Sequence, residues 1–288
     1  MGPDGKESNQ AVAAGLMGAQ VSIISRLGQD NFAKIALDIW KKLGVTPYIK
    51  QSPDDYTGAA YIFIEEASGN NAIIIAPGAA AKISAADLEA QAELIATADV
   101  FVTQLEQPME AALKGLKIAR SAGVKKILNP APTANLPTEM LALCDYITPN
   151  ETETEALTSL SVHSVADEAK ATEVLCDMGV TTPIITLGDK GAYLQGHGLI
   201  APFIAGAVVG TTGAGGAFNE RLAAALSEGF TDSEVVKIGC AAAGILVTRA
   251  GTAPSMPTRK QVDRLIPDNA KHCLLGPPTA LFVSSAQK

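Results

Sequence analysis

Short apolar segments alternate with longer helical segments through most of this chain, and the alternation limits the folds it can adopt. Three apolar segments, at 100–105, 126–128 and 183–187, have the length and composition of buried strands. The segments between them carry apolar residues at helical spacing and end at glycines such as Gly123 and Gly179. Strands separated by helices pair in parallel, with helices on both faces. The pattern predicts an α/β fold, a three-layer α/β/α sandwich with a mainly parallel central sheet.

Two β-rich segments, 57–65 and 71–76, interrupt this alternation. The residues between them include Ser68-Gly69-Asn70, which is typical of a turn, so the pair predicts a hairpin. A hairpin does not fit between the units of a parallel sheet. We therefore expect a small β lid over 57–76, beside the main sheet or in contact with a second copy of the chain. A second hairpin is predicted around 196–198.

A glycine-rich stretch, 210–216, joins a β-rich apolar run at 200–209 to a helical run at 217–227. Glycine lets the backbone turn tightly and approach a ligand with no side chain in the way. The helix that follows presents unpaired N–H groups and the positive end of its dipole, a combination that binds phosphate. The stretch therefore predicts a phosphate-binding loop, although it contains no carboxylate that could accept a proton.

Polar residues follow four of the predicted strands at the point where each strand ends. For any one strand, capping of the next helix is the simpler explanation. Because the carboxyl ends of parallel strands share one edge of a sheet, four such clusters together with the glycine loop favour a lined crevice. The clusters are Gln104 to Glu106, Asn129 to Pro132, Asn150 to Glu153 and Thr186 to Gly191.

Asn150 and Glu153 lie three residues apart on the first turn of a predicted helix. A carboxylate at this position can hold a Mg²⁺ ion that is bound to substrate phosphates. It can also do no more than stabilise the helix N-terminus. The sequence leaves both interpretations open.

Charge and cysteine spacing argue against several function classes. The chain has a net charge of -8 and no basic run, so neither a nucleic acid nor an anionic membrane is expected as a partner. No signal peptide or membrane-spanning run is apparent, which favours a cytoplasmic protein. The cysteines are widely spaced in apolar surroundings, so buried reduced thiols are favoured over a metal or disulfide role for Cys144, Cys176, Cys240 and Cys273.

Taken as an ordered set, the motifs resemble those of the ribokinase-like (phosphofructokinase B-type) carbohydrate kinases. The matching segments are Gly5-Lys6 with Asn9-Gln10-Ala11, Thr57-Gly58, Asn129 to Pro132, Thr148 to Glu153, Thr211 to Gly215 with Ala217 to Asn219, and Val247 to Gly251 with Pro254-Ser255. The resemblance implies a ribokinase-like domain over 1–266 and ATP-dependent phosphorylation of ribose or a similar pentose on its hydroxymethyl oxygen. The tail, 267–288, has no helical or alternating pattern, and we expect a divergent extension without regular structure.

The resemblance also implies roles for individual residues. Gly213, Ala214 and Gly215 would form an anion hole for the transferred phosphoryl group. The sugar would be bound by Gly5, Lys6, Asn9 and Glu106. The nucleotide site would include Asn150, Thr186, Gly188, Gly191 and Gly215. Glu153 would organise the Mg²⁺ that accompanies ATP. An activating K⁺ would be held at Thr212, Leu246, Gly251 and Ser255. The lid would support a homodimer.

Four departures from the family pattern bear on activity. The family's loop ends in an aspartate that takes the proton of the sugar hydroxyl, and Gly216 stands there in this chain. The loop's leading acid is replaced by Gly210. Glu220 stands where the family has a small residue, so it is either exposed or strains the packing. The family's opening strand has no counterpart before Gly5, so its neighbours would have unpaired edges unless a partner chain fills the gap.

These departures predict impaired activity, because loss of a general base lowers rates about 10²- to 10⁴-fold. Two alternatives are a catalytically inactive pseudoenzyme that binds nucleotide or sugar, and a non-functional fragment of such a kinase gene. A nicotinamide-dependent dehydrogenase is disfavoured. Its glycine fingerprint follows the first strand of the fold, with an acidic residue about 20 positions later.

Overall fold

The structure, a computed structural model, describes residues 6–16, 18–64, 71–211, 213–249, 251, 255–266 and 279–283. Its strands are β1 (Gln20–Gly28), β2 (Val45–Ser52), β3 (Thr57–Ile64), β4 (Asn71–Gly78), β5 (Val100–Thr103), β6 (Lys125–Leu128), β7 (Tyr146–Ile147), β8 (Thr182–Thr186), β9 (Ala192–Leu194), β10 (Gly198–Ile200) and β11 (Thr279–Val283). Its α-helices are α1 (Lys6–Leu16), α2 (Asn31–Lys42), α3 (Ala85–Glu89), α4 (Ala92–Ala96), α5 (Met109–Ser121), α6 (Thr138–Leu141), α7 (Glu151–Thr158), α8 (Val165–Asp177), α9 (Ala214–Ser227), α10 (Asp232–Leu246) and α11 (Arg259–Leu265).

Nine of the described strands form one sheet, in the order β10-β9-β8-β7-β6-β5-β11-β1-β2. Pairing is parallel from β2 to β8, and the β9–β10 hairpin adds two antiparallel strands at one edge. Side chains alternate across β5: Val100 and Val102 belong to a core with α1, α9 and α10, while Phe101 belongs to a second core with α5 and α6. The three-layer α/β/α sandwich is therefore confirmed.

Capping side chains mark where several helices of the described chain begin. Ser84 with Asp87, and Thr231 with Glu234, form capping boxes at the starts of α3 and α10. In each box the carboxylate and hydroxyl satisfy N–H groups that the first turn leaves unpaired. Local side-chain chemistry therefore fixes where these two helices begin.

Two segments differ from the sequence-based expectation. Strand β2 was not predicted, and its mixed burial reflects its place at the sheet edge. The apolar run 200–209 is strand only as far as Ile200, and Ile204 is 87% exposed. At its far end, the N–H groups of Val209 and Gly210 donate to the Val247 carbonyl, which directs the run to the end of α10 and away from the sheet.

An interior strand of the sheet comes from the end of the sequence. β11 pairs in parallel with β1 on one side and β5 on the other, so that Leu281 is opposite both Ser22 and Phe101. The expectation of a tail without regular structure is therefore wrong for residues 279–283. Two strands that would otherwise have unpaired N–H and C=O groups find their partner within the chain. The rest of the tail lies outside the described residues.

The predicted lid hairpin is present as a separate two-stranded antiparallel sheet of β3 and β4. The turn at 65–70 lies outside the described residues. At the base of the lid, Asp30 accepts the N–H of Thr57 at 2.7 Å and that of Ala33 at 2.9 Å. Burial acts to raise the pKa of Asp30, but these hydrogen bonds outweigh it and the pKa is lowered. The ionised carboxylate thus ties the lid to the start of α2.

Among the described cysteines, Cys144, Cys176 and Cys240 are free thiols. Burial raises the pKa values of Cys144 and Cys240 to about 12, so both are protonated at neutral pH and are poor nucleophiles. Cys273 lies outside the described residues. No helix in the described part of the chain is both long enough and apolar enough to cross a membrane.

The pairing of β11 predicts a sharp difference between two truncations. A chain that ends at Pro278 lacks β11 and leaves β1 and β5 with unpaired edges, so we expect a lower melting temperature and aggregation. A chain that ends at Val283 keeps the strand and serves as the matched control. Thermal melts with light-scattering detection compare the two. Equal stability of both truncated chains would contradict the role given to β11.

Candidate functional site

The polar clusters predicted at the strand ends lie side by side, because β5, β6, β7 and β8 are consecutive in the sheet. Backbone hydrogen bonds continue the pairing beyond the strands: Asn129 N–H donates to the Thr103 carbonyl at 3.0 Å, and Thr186 N–H donates to the Pro149 carbonyl at 2.8 Å. Asn150 and Thr186 form an isolated parallel bridge. One edge of the sheet is thereby lined with polar groups, as the crevice prediction requires.

A chain of side-chain hydrogen bonds connects this edge to the glycine loop. The Asn129 amide donates to the Thr148 carbonyl at 3.3 Å, and the Thr148 hydroxyl donates to Asn219 Oδ1 at 2.6 Å. The Asn219 amide in turn donates to the Gly215 carbonyl at 2.8 Å. Asn129, Thr148 and Asn219 are all buried. These linked hydrogen bonds were not predicted from the sequence. They hold the first turn of α9 against the ends of β6 and β7.

Gly213, Ala214 and Gly215 form the start of α9, where the sequence placed an anion hole. Gly213 has a φ of 86°, a left-handed conformation that favours glycine. The Ala214 N–H donates to the Thr211 carbonyl at 3.2 Å. The N–H groups of Gly215 and Gly216, later in the same turn, are therefore the ones open to a ligand. A Cβ atom at Gly215 would meet no described atom within 4 Å, which leaves open space above the turn. Thr212 lies outside the described residues.

Asn150 and Glu153 form a capping box at the start of α7. Asn150 Oδ1 accepts the Glu153 N–H at 2.8 Å, and Glu153 Oε2 accepts the Asn150 N–H at 2.9 Å. The helix-stabilising interpretation is therefore realised in the structure. A role for Glu153 in organising Mg²⁺ stays a prediction.

Gly188 and Gly191 differ in why each must be glycine. A Cβ atom at Gly191 would lie 2.1 Å from the Ile200 carbonyl oxygen, so the packing of the β9–β10 hairpin excludes any side chain there. A Cβ atom at Gly188 would meet no described atom within 4 Å. Of these two glycines, Gly188 borders space that a nucleotide could fill. The packing of the hairpin alone explains the glycine at Gly191.

The predicted sugar residues lie at the junction of α1 and the end of β5. Asn9 and Glu106 are both buried, and Gln104 donates a hydrogen bond to Gln10, which joins the two elements. Gln107 donates to the Gln104 carbonyl at 2.8 Å, extending a buried amide cluster that the sequence did not reveal. Gly5 and the side chain of Lys6 lie outside what the structure describes, so their predicted roles stay predictions.

The predicted cation segment is ordered by an arginine. The Arg249 guanidinium donates to the Ser255 carbonyl at 3.0 Å, and its backbone N–H donates to the Leu246 carbonyl at 2.9 Å. A Cβ atom at Gly251 would lie 3.1 Å from Ser255 Oγ, so Gly251 and Ser255 are neighbours. The Leu246 and Ser255 carbonyls thus already accept hydrogen bonds from Arg249, and a K⁺ site at this segment stays a prediction.

Glu220 is fully buried, which excludes the exposed alternative left open by the sequence. Neither carboxylate oxygen has a hydrogen-bond partner among the described residues. Burial raises the pKa of Glu220 well above its usual range, and the charge of Arg221 opposes that rise. Arg221 is also buried and donates to the Pro257 carbonyl, and burial lowers its pKa to about 9.

The Thr148–Asn219 hydrogen bond predicts linked losses of stability and nucleotide binding. Thr148→Val keeps the shape but leaves the buried Asn219 oxygen without its donor, at a cost of about 1–3 kcal/mol. We expect a lower denaturation midpoint and weaker binding of a non-hydrolysable ATP analogue. The control is Thr172→Val in α8, a buried threonine that bonds only within its own helix. Analogue binding as tight in Thr148→Val as in Thr172→Val would refute the coupling.

Comparisons with known proteins agree with this arrangement. Residues 1–259 match the family described as pfkB family carbohydrate kinase. A ribokinase of Haemophilus influenzae is 39% identical over 261 residues, which are 89% of this chain and 85% of that protein. A ribokinase of Staphylococcus aureus is 32% identical over 265 residues, which are 91% of this chain and 87% of that protein.

Solved structures show the same relationship in three dimensions. The Arabidopsis thaliana ribokinase, in complex with ribose and ATP, has a TM-score of 0.84 and 30% identity, covering 91% of this chain and 86% of that one. The Thermotoga maritima ribokinase has a TM-score of 0.81 and 34% identity, covering 91% of this chain and 87% of that one. The chain belongs to the pfkB family of carbohydrate kinases.

Proposed function

We propose that this chain is an ATP-dependent kinase that phosphorylates ribose, or a similar pentose, on its hydroxymethyl oxygen. The observation that carries the proposal is the hydrogen-bond chain from Asn129 through Thr148 and Asn219 to Gly215. It fixes a helix N-terminus suited to phosphate at the sheet edge where the polar strand ends meet. The Arabidopsis relative, whose structure contains ribose and ATP, supports the choice of substrates.

In this reaction the protein acts mainly by positioning and by electrostatic stabilisation. The sugar would lie at the α1–β5 junction beside Asn9 and Glu106, and the phosphates of ATP would lie against the first turn of α9. N–H groups of that turn would donate to the oxygens of the phosphoryl group as negative charge develops on them. Asn150, Thr186 and Gly188, which lie at or just beyond the ends of β7 and β8, would border the rest of the nucleotide.

Two cations complete the proposal. Glu153 would orient water around the Mg²⁺ of the nucleotide, a role that its buried carboxylate would have to share with the capping box. Gly251 and Ser255, near the Leu246 carbonyl, would hold a K⁺ ion with oxygen donors. When bound, these cations neutralise phosphate charge and keep the loop before α9 in place.

A binding protein without turnover is the second candidate, and the absence of a side chain at Gly216 favours it. The two candidates share the nucleotide site and differ in whether the sugar hydroxyl can lose its proton. Turnover therefore decides between them, and binding measurements alone do not.

The test is turnover of the purified chain with ribose, ATP, Mg²⁺ and K⁺. We expect ADP release that depends on ribose, with ³¹P NMR showing a phosphomonoester on the hydroxymethyl group. Gly215→Val should abolish nucleotide binding without unfolding the chain, because its side chain would enter the open space above α9. Ala86→Val, on the exposed first turn of α3, is the matched control. Ribose-independent ADP release, or none, would count against the kinase.

The lid suggests a homodimer. Phe63 and Ile74 are 56% and 61% exposed, and the register of β3 with β4 places them on one face of the hairpin. A two-stranded sheet alone is marginally stable in water, and pairing with a second lid would bury this face. The proposed dimer is therefore formed lid against lid.

The dimer proposal predicts that a charge on the lid face separates the protomers. Phe63→Glu should shift the sedimentation coefficient from that of a dimer to that of a monomer, because a charge is costly to bury. Ile204→Glu, at an exposed apolar position outside the hairpin, is the control and should leave the dimer intact. A wild-type chain that sediments as a monomer at micromolar concentration would rule the interface out.

A further inference from the structure

The carboxylate of Glu220 lies beside the backbone of Gly216, one helical turn away. Side chains on a helix tilt toward its N-terminus, so residue 220 reaches back over residue 216. A Cβ atom at Gly216 would lie 3.7 Å from Glu220 Oε1 and 4.0 Å from the terminal carbon of Met256. The space next to Gly216, which a side chain at that position would enter, is therefore bordered by the Glu220 carboxylate.

The Glu220 carboxylate is isolated, unlike three structural carboxylates in the described part of the chain. Asp30, Asp87 and Glu234 all accept hydrogen bonds from the backbone. Both oxygens of Glu220 lack a partner among the described residues, although the group is fully buried. An unsatisfied buried carboxylate costs stability, and groups of this kind concentrate at functional sites.

Its position also connects the buried interior with the phosphate-binding turn. Gly216 is partly exposed, whereas Glu220 beneath it is fully buried. Met256, also buried, closes the other side, and the Arg221–Pro257 and Arg249–Ser255 hydrogen bonds hold the segment that carries it. The side of the Glu220 carboxylate that faces Gly216 therefore faces the phosphate-binding turn.

We propose that Glu220 is the general base of the kinase reaction and takes the proton of the sugar hydroxyl on the side of its carboxylate that faces Gly216, which is closed in the structure and would have to open when the sugar binds. The inference rests on the proposed function. The hydroxyl oxygen forms a bond to the γ-phosphorus as its O–H bond breaks, and the proton passes to a Glu220 oxygen. The bond between the γ-phosphorus and the bridging oxygen breaks, ADP leaves with the electron pair, and Glu220 later returns the proton to water.

The surroundings of Glu220 suit a base rather than a permanently ionised group. Arg221 is the charged neighbour that acts on it among the described residues, and Arg221 is itself influenced by Arg259, Asp263 and Glu228. Because desolvation dominates, Glu220 has a raised pKa and holds its proton more strongly than an exposed glutamate. A stronger base accepts a proton from a hydroxyl more readily, provided that it is ionised first.

The pH dependence follows with a definite sign. Turnover needs the ionised form, so kcat should rise with pH along a limb that lies well above the usual glutamate range. Stability should move the other way. The folded state retains a proton that the unfolded state releases, so wild-type stability falls as pH rises from about 4.5 through the folded-state pKa. Glu220→Gln should lack both effects.

The test compares Glu220→Gln, Glu168→Gln and the wild-type chain with ribose and ATP. Glu168 is the matched control because it is buried, has an unpartnered oxygen and has a pKa raised by burial, but lies on α8. We expect Glu220→Gln to lower kcat about 10²- to 10⁴-fold, to leave KM for ATP within about twofold, and to abolish the pH limb. Glu168→Gln should keep full turnover and the limb.

A relocation variant keeps the test decisive if Glu220→Gln disturbs the fold. Gly216→Asp with Glu220→Ala returns a carboxylate to the same space from the neighbouring turn, and it should recover most of the turnover that Glu220→Ala loses. Gly216→Asp alone puts two carboxylates in that space, where they compete for one proton, and should fall below the double variant.

The outcomes separate this proposal from the proposed function. Ribose phosphorylation that Glu220→Gln leaves unchanged overturns the base assignment and keeps the kinase. No ribose phosphorylation by the wild-type chain overturns both. A double variant no more active than Glu220→Ala also contradicts the shared position of the two carboxylates.

Discussion

The candidate site depends on the hydrogen bond between Thr148 and Asn219. It joins the end of a sheet strand to the second turn of helix α9, and the two residues are 71 positions apart in the sequence. A helix N-terminus binds phosphate only when its N–H groups are held in one direction relative to the other substrate. Because the Asn219 amide also holds the Gly215 carbonyl, one asparagine fixes both the sheet contact and the orientation of the turn.

Much of the fold follows from local sequence, since each strand and helix of the βα units carries its own periodicity and caps. The capping boxes at Ser84 and Thr231 needed no knowledge of distant residues. Strand β11 was not predictable in this way. Its five residues have no distinguishing alternation, and they form a strand because β1 and β5 present unpaired groups on both sides. Long-range pairing, not propensity, decides that assignment.

The candidate site was predictable in its parts and less so in its contacts. The polar strand ends and the glycine loop were recognised from residue types alone, and the sheet order explains why they meet. The sequence could not distinguish the two glycines of the 188–191 turn, because the reason for Gly191 is a carbonyl from the next hairpin. Nor could it show that the Asn150 and Glu153 side chains bond to each other's backbone, since capping and metal binding require the same residue types.

Gly216 and Glu220 change meaning when they are considered together. Position by position, the first is a lost base and the second a carboxylate in a tightly packed helix, and each suggests a decaying enzyme. In the structure the Glu220 carboxylate borders the position that a side chain at Gly216 would enter, so the two departures lie side by side.

The same burial that makes Glu220 a strong base also destabilises the folded chain when the group ionises. A pH high enough to ionise Glu220 would then favour turnover and weaken the fold. The free energy of unfolding that remains limits how far burial can raise the pKa of Glu220. Strand β11 bears on that limit because it completes the sheet on which α9 packs. The buried Glu220 carboxylate lowers the free energy of unfolding, and the pairing of β11 raises it. Strand β11, at the end of the sequence, therefore supports the chemistry proposed for the loop.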